Sequence, residues 1–290
     1  MLLALTIGTI PRLQFPLCNP HFAINDRKAN TDSTTPQTRL RHPGENGFMT
    51  LRTKFDMYLA PASQACFAAL TDHLTTILAG HDMSSATGSY DIGQMCGIDF
   101  AKATPGRYHY LATMVVDNNV VPEGSYNSHV ITPQKNGLRD LKDFNPARHV
   151  MAINEPGSFS GAAVFDAHLR RHGIAGFDNA KRSGGHLKSI AMVARGDAHL
   201  ASIDRLSFEL ARHDQPENVA KVTVIDETPF YPSPPFVADG GLSRETVTRL
   251  TDALLAFRQH DAWQEMCELL GIRDLTIIDP ADYTGMDRPE

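Results

Sequence analysis

The apolar positions of this chain change period again and again, and each change marks an element. Lys54 to Leu59 alternate apolar and polar side chains, the period-two signature of a strand. Pro61 then opens a helix with Cys66, Leu70, Leu74 and Ile77 on one face and Gly80 at its end. Asp91 to Gly97 is a short apolar stretch interrupted by glycine. Tyr108 to Val116 reads as a strand closed by the turn Asp117-Asn118-Asn119, and Tyr126 to Thr132 as another. Leu138 to Leu141 reads as a short helix.

His149 to Ile153 reads as a buried strand that runs into Asn154-Glu155-Pro156-Gly157-Ser158-Phe159-Ser160-Gly161. Ala162, Phe165 and Leu169 follow at helical spacing, with Gly173 as the stop. Ser183-Gly184-Gly185-His186 is a second small-residue turn before a helix, Lys188 to Arg195, stopped by Gly196. Ala198 to Ile203 is a strand, Asp204 heads a helix through Ala211, and Lys221 to Asp226 is a strand. A proline-rich crossing, Thr228 to Pro235, leads to a Ser243-capped helix, Arg244 to His260, striped by Val247, Leu250, Leu254 and Phe257. A last helix runs from Asp261 to Leu270 and closes at Gly271. Alternating strands and helices predict an α/β fold with mostly parallel sheets and helices on both faces.

Composition narrows the function classes. The 290 residues are 42% hydrophobic and 21% charged, ordinary for a globular chain long enough for two domains. The formal net charge of -6 lacks the basic footprint of a nucleic-acid binder. No apolar run reaches membrane-spanning length. Cys18, Cys66, Cys96 and Cys267 have neither metal-ligand nor redox spacing. Met1 to Ile10 is apolar but lacks the basic start and small-residue exit of a secretory signal, and Asn25 to Gly47 is polar. Residues 1–48 are expected to be a disordered or non-native extension.

The chemistry concentrates at the turns. The first amides of a helix have no intrahelical partner and carry positive potential, so a small-residue turn that opens a helix suits an anion. Ser158 and Ser160 add hydroxyl donors there, although a serine before a helix also serves simply as a cap. The Gly157–Gly161 run has Phe159 at its centre, where a hydrolase elbow needs its nucleophile. Ser183 to His186 offers a second amide nest, and two such turns converging would hold one multi-oxygen anion. Tyr126 and Ser128 start a strand, and Asp204 sits at a strand end, where open α/β sheets place ligand groups. His168 and His172 are spaced i, i+4, but no third ligand accompanies them in sequence, and Arg170 and Arg171 lie between; an exposed basic helix face is the expectation, with no metal. No Walker loop or dinucleotide fingerprint is present, and no cofactor is expected.

These segments together resemble the substrate-binding proteins of phosphate, phosphite and phosphonate ABC transporters, over roughly Gln94 to Tyr283. The resemblance rests on Gln94-Met95-Cys96-Gly97, Tyr126-Asn127-Ser128, Leu138-Arg139-Asp140-Leu141, Asn154 with Ser158-Phe159-Ser160-Gly161, Gly185-His186 with Ser189, Gly196-Asp197-Ala198 through Ile203-Asp204, and Thr228 with Pro232 to Phe236. It departs from the family at Ala198-His199, where an Ala-Asp pair is usual, and in the missing secretory signal.

The resemblance implies a two-lobe fold of the type 2 periplasmic-binding class with the ligand cleft between the lobes. One lobe would hold residues 49–112 and 227–290, the other 113–226. It implies reversible capture of a small oxyanion of the phosphonate or phosphate class, an ABC transporter permease as partner, and a periplasmic location. Ser158, Ser160 and amides near Gly161 would hold the oxygens, Tyr126 and His186 would assist, and Tyr58 would reach in from the other lobe. Asn154, Phe159 and Ser128 belong to the same expected site, and Asp204 would meet the organic part of the ligand. Two other readings are an enzyme on the same scaffold using His186, Cys96 and Asp204, and a cytoplasmic ligand-sensing module without a transporter.

Overall fold

A computed structural model of the chain describes residues 51–79, 86–135, 137–177, 179–286 and 289, all within one compact unit. The expected extension 1–48, Cys18 and the helix stop at Gly80 lie outside the described residues. In chain order the strands are β1 (Thr53–Lys54), β2 (Ile92–Gln94), β3 (Tyr108–Val116), β4 (Ser125–Tyr126), β5 (Ser128–Pro133), β6 (Met151–Ile153), β7 (Ala180–Arg182), β8 (Leu200–Asp204), β9 (Val222–Glu227), β10 (Tyr231–Pro232), β11 (Pro235–Asp239) and β12 (Ile272–Thr276). The α-helices are α1 (Gln64–Ile77), α2 (Gly97–Lys102), α3 (Val164–Arg171), α4 (His186–Arg195), α5 (Arg205–Asp214), α6 (Pro216–Val219), α7 (Arg244–Ala256) and α8 (Ala262–Leu270).

These strands make two five-stranded sheets, ordered β1-β2-β11-β3-β12 and β7-β6-β8-β5-β9, joined by a ribbon of β4 against β10. Each sheet anchors one lobe. The chain passes between the lobes through β4 and β10, which pair Tyr126 with Tyr231. Arg205 clamps the two passages. Its Nε donates to Asn127 Oδ1 (2.8 Å) and its Nη2 to Glu227 Oε1 (2.9 Å), while Asn127 Nδ2 donates to Glu227 Oε2 (3.0 Å).

The second sheet explains its own sequence. Neighbouring strand residues point to opposite faces. Val130, Met151 and Leu200 pack into one core with Phe165 and Leu169 of α3. The next residues, Ile131, Ala152 and Ala201, pack into another with Ile190 and Val193 of α4 and Phe208 of α5. A sheet buried on both faces needs consecutive apolar residues, which Val130-Ile131 in β5, Met151-Ala152-Ile153 in β6 and Leu200-Ala201 in β8 supply. The first sheet packs on α1, α7 and α8 through Leu70, Leu74, Leu250, Leu254 and Leu270.

Several sequence expectations are corrected. The sheets are mixed rather than mostly parallel: β1–β2, β6–β7 and β6–β8 are parallel, and the other described pairings are antiparallel. Strands entering and leaving the ribbon run against their neighbours, which no local pattern encodes. The first strand keeps only two residues, because the chain turns at Met57-Tyr58 and buries Tyr58. Ile77 is exposed at the helix end. The strand from Tyr126 is interrupted at Asn127, which the Arg205 clamp occupies. The short helix starts at Leu141 instead of Leu138, capped by Asp140, whose side chain accepts from Lys142 N. The strand β7 was missed because Ala-Lys-Arg is fully exposed and carries no apolar signal. The strands β11 and β12 were missed as continuations of a proline-rich passage and of a helix stop.

Candidate functional site

The carboxyl ends of the parallel strands β7, β6 and β8 carry, in turn, Ser183–His186, Asn154–Gly161 and Asp204. Open α/β sheets present ligand groups at that edge. The two turns are also stitched together. Ser183 N donates to Ile153 O (2.8 Å) and Gly184 N to Asn154 O (2.9 Å). Ser189 Oγ donates to Asn154 Oδ1 (3.2 Å) and lies 2.7 Å from Ser183 Oγ. Gly184 holds a φ of 85°, a left-handed conformation that favours glycine.

The Ser158–Ala163 turn opens as a π-turn, not as the expected α-helix, with Ala163 N donating to Ser158 O. Its cause is local. The Ser160 carbonyl, which an α-helix would bond to Val164 N, instead accepts Ser202 Oγ (2.7 Å) and Ser128 Oγ (3.4 Å). The Val164 amide moves on to Phe159 O. Such π-turns are frequent at functional sites. Ser158 Oγ accepts from Gly161 N (3.2 Å) and Asn154 Nδ2 (3.5 Å). Its own proton is thereby left to be donated into the cleft.

The cleft beside these turns has a volume of about 880 Å³. Tyr58 and Cys96 line it from the first-sheet side, and Tyr126, Asn154, Ser158, Ser160, His186 and Asp204 line the rest. Ser160 Oγ lies 3.0 Å from His186 Nε2, and the same nitrogen lies 2.9 Å from Asp204 Oδ2. Asp204 Oδ1 accepts from Ser207 N at 2.9 Å, capping α5. Burial alone would raise the Asp204 pKa, but the charge and hydrogen bond of His186, with the Ser207 bonds, hold it below the usual aspartate value. Tyr58 is buried, and among the described residues no group lies at full hydrogen-bonding distance of its hydroxyl, with the Asp204 carboxylate the nearby acceptor. Burial pushes the phenols of Tyr58 and Tyr126 well above their ordinary pKa, followed by the Asp204 carboxylate at Tyr58 and by Cys96 and then Asp204 at Tyr126. Both stay neutral donors.

The remaining expected site residues lie elsewhere. Ser128 is buried behind the turn, fixing the Ser160 carbonyl. Phe159 packs edge-on against Tyr231 with ring centroids 5.0 Å apart, in a small core with Ile98, Tyr283 and Met286. Gly161 has its amide committed to Ser158 Oγ. An added Cβ there would meet Asn154 Cγ at 2.9 Å and Ser158 Oγ at 3.0 Å. Asp204, by contrast, lines the cleft; it has a partner on each oxygen and holds His186. Ser202 and Arg205, which frame the site, carry no recognisable motif of their own; their partners Ser160 and Asn127 are distant in sequence.

Among the described residues no helix is long and apolar enough to cross a membrane. Residues 73–283 match the family model of the periplasmic substrate-binding proteins of phosphonate ABC transporters. The chain belongs to that family. Members of this phosphonate substrate-binding family are transport solute-binding proteins rather than enzymes. The fold is also that of solved structures. A binding-protein component of an ABC phosphonate transporter from Pseudomonas aeruginosa superposes with a TM-score of 0.65 at 15% identity, covering 80% of this chain and 82% of that one. PhnD1 from Prochlorococcus marinus in complex with methylphosphonate gives 0.58 at 16% identity, over 77% and 81% of the two chains. A Xanthomonas citri protein bound to chloride ion gives 0.56 at 12% identity, over 80% and 92%. A comparison with curated proteins found no match. The two-lobe architecture expected from the sequence is thus that of this phosphonate-binding family.

Proposed function

We propose that this chain captures a phosphonate or a phosphate-like oxyanion in the cleft and delivers it to an ABC transporter permease. The observation that carries this reading is the convergence of Ser158, Ser160, His186, Tyr58 and Tyr126 on one cleft, with the Tyr58 hydroxyl and His186 Nδ1 buried and unpaired among the described residues. Buried donors left unpaired are costly until a ligand accepts from them. Both binding glycine-serine turns lie at one sheet edge, and two crossings through the β4–β10 ribbon suit closure around a ligand. The expected boundary at 112/113 falls inside β3, so we place the lobe boundary in the ribbon, with residues 51–116 and 235–286 as one lobe and 128–227 as the other. The family supports a periplasmic site of action.

Binding without catalysis is favoured by the His186 ring. A proton relay needs a hydroxyl on one ring nitrogen and a carboxylate on the other. Here Ser160 and Asp204 share Nε2, and Nδ1 has no partner. With Nε2–H given to the carboxylate, His186 has no lone pair for the Ser160 proton. Burial pushes the Cys96 thiol up, away from the thiolate a nucleophile needs.

The test is a thermal-shift screen with phosphate, phosphite, methylphosphonate, 2-aminoethylphosphonate, sulfate and carboxylates. A ligand at 100 times its dissociation constant stabilises the fold by about 2.7 kcal/mol. Removing both Ser158 and Ser160 hydroxyls is expected to weaken binding by about two to four orders of magnitude, at roughly 1.5–3 kcal/mol per hydrogen bond to a charged ligand. A shift with a carboxylate and with none of the phosphorus oxyanions overturns the ligand class.

A further inference from the structure

The helix that starts at the ligand turn ends in a cluster that the cleft does not use. His168 and His172, on successive turns of α3, were expected on an exposed basic face. His168 is instead buried, and Asp226 on β9 supplies the third group that the sequence around them lacks. His168 Nε2 lies 2.9 Å from Asp226 Oδ2. The two imidazole rings lie 4.5 Å apart, and one ligand atom from each of the three residues lies within 4.8 Å of the others.

We propose that His168, His172 and Asp226 form a binding site for a divalent transition-metal ion of the Zn²⁺ class. Two imidazoles and one carboxylate are a donor set that zinc uses with a fourth position left open. The outer hydrogen bonds already orient the ligands. His172 Nδ1 donates to the His168 carbonyl at 2.9 Å, which leaves the Nε2 lone pair free for a metal. Asp226 Oδ1 accepts from Glu227 N at 2.8 Å, which turns Oδ2 toward His168. On binding, the ion takes the place of the hydrogen between His168 Nε2 and Asp226 Oδ2: an imidazolium releases that proton to solvent, and a neutral ring carries it on Nδ1 instead. His172 is exposed and gives the ion its way in. Of the two arginines between the histidines, Arg170 is neutralised, since its Nε donates to Asp166 at 2.9 Å.

The position gives the site a consequence. The helix α3 continues directly from the Ser158–Ala163 turn, and β9 leads directly into the crossing at Thr228. A bound ion would tie the ligand turn's helix to the strand that feeds the hinge.

The test uses the full chain without an affinity tag of histidines, stripped of metal with a chelator. Titration with Zn²⁺ by calorimetry, and with Co²⁺ by visible absorption, is expected to give one equivalent and the ligand-field bands of a tetrahedral nitrogen–oxygen site. His172→Ala, at an exposed position, and Asp226→Asn are each expected to weaken binding by more than the roughly 10–100-fold that loss of an outer-sphere partner costs. His172→Gln serves as a second variant if Asp226→Asn fails to fold. His149→Ala is the control, because His149 and His199 form another close pair, with rings 5.1 Å apart, and it is expected to bind as the parent does. Absence of a Zn²⁺ equivalent, retention of it in His172→Ala and His172→Gln, or its loss in His149→Ala overturns the site.

Discussion

His186 Nε2 stands 2.9 Å from Asp204 Oδ2, and this buried pair joins the second glycine turn to the end of β8. Removing one partner of a buried ion pair leaves the other uncompensated, at a cost of about 3–5 kcal/mol. Asp204→Ala is therefore expected to lose about that much stability in urea denaturation at neutral pH. The pH dependence has a definite sign. The folded pKa of Asp204 is depressed, so its stabilisation is present above the unfolded value of about 3.9 and is lost as pH falls through the lower folded value. Asp204→Asn is expected to flatten that acid limb. An unchanged acid limb in the variant would show that the pair does not govern it.

Tyr58 offers the opposite signature. Its buried hydroxyl lacks a partner at full hydrogen-bonding distance among the described residues, and an unsatisfied buried group costs about 1–3 kcal/mol. Tyr58→Phe is expected to leave the ligand-free protein as stable or up to about 1 kcal/mol more stable, while weakening ligand binding about tenfold. Thermal melts with and without ligand separate the two effects. A destabilised apo-protein with unaltered affinity would mean that the hydroxyl serves the fold.

Gly161→Ala tests the cradle by steric means. The new methyl would press on Asn154 and Ser158 at about 3 Å, and Asn154 is held by Ser189 Oγ of α4 and itself donates to Ser158 Oγ. Overpacking of this kind costs about 1–3 kcal/mol. Affinity is expected to fall at least about tenfold because the serine hydroxyl is displaced. Calorimetric titration checks this, and parent-like affinity would place the ligand away from Ser158.

His129 is expected to set a second pH response. Burial, then the Arg205 charge, lower its pKa to about 4, against a weaker pull from Glu227. A depressed histidine contributes stability that is whole above its unfolded value of about 6.5 and is lost as pH falls toward about 4. Across that window the loss is roughly 2–4 kcal/mol. His129→Asn is expected to remove the slope between those limits while leaving the Asp204 limb below it, measured by denaturant midpoints at stepped pH.

Most helices, the strand Tyr108–Val116 and both small-residue turns were legible because their signals are local. Apolar spacing, Ser243 and Asp204 as caps, and Gly173, Gly196 and Gly271 as stops each act within a turn or two of chain. The sequence by itself therefore determined the order of elements and the two small-residue turns, and its motifs named the family. Tertiary structure alone decided which hydroxyls face the cleft. Ser128 and Ser202 turn inward to hold Ser160, and that capture of one carbonyl converts an α-helical start into a π-turn. It alone decided that His168 meets Asp226 and that β3 runs whole through one sheet. The reason is the same in each case. These contacts join residues tens of positions apart, and their geometry depends on strand order and direction, which are set by packing across the whole sheet and leave no periodicity in the chain.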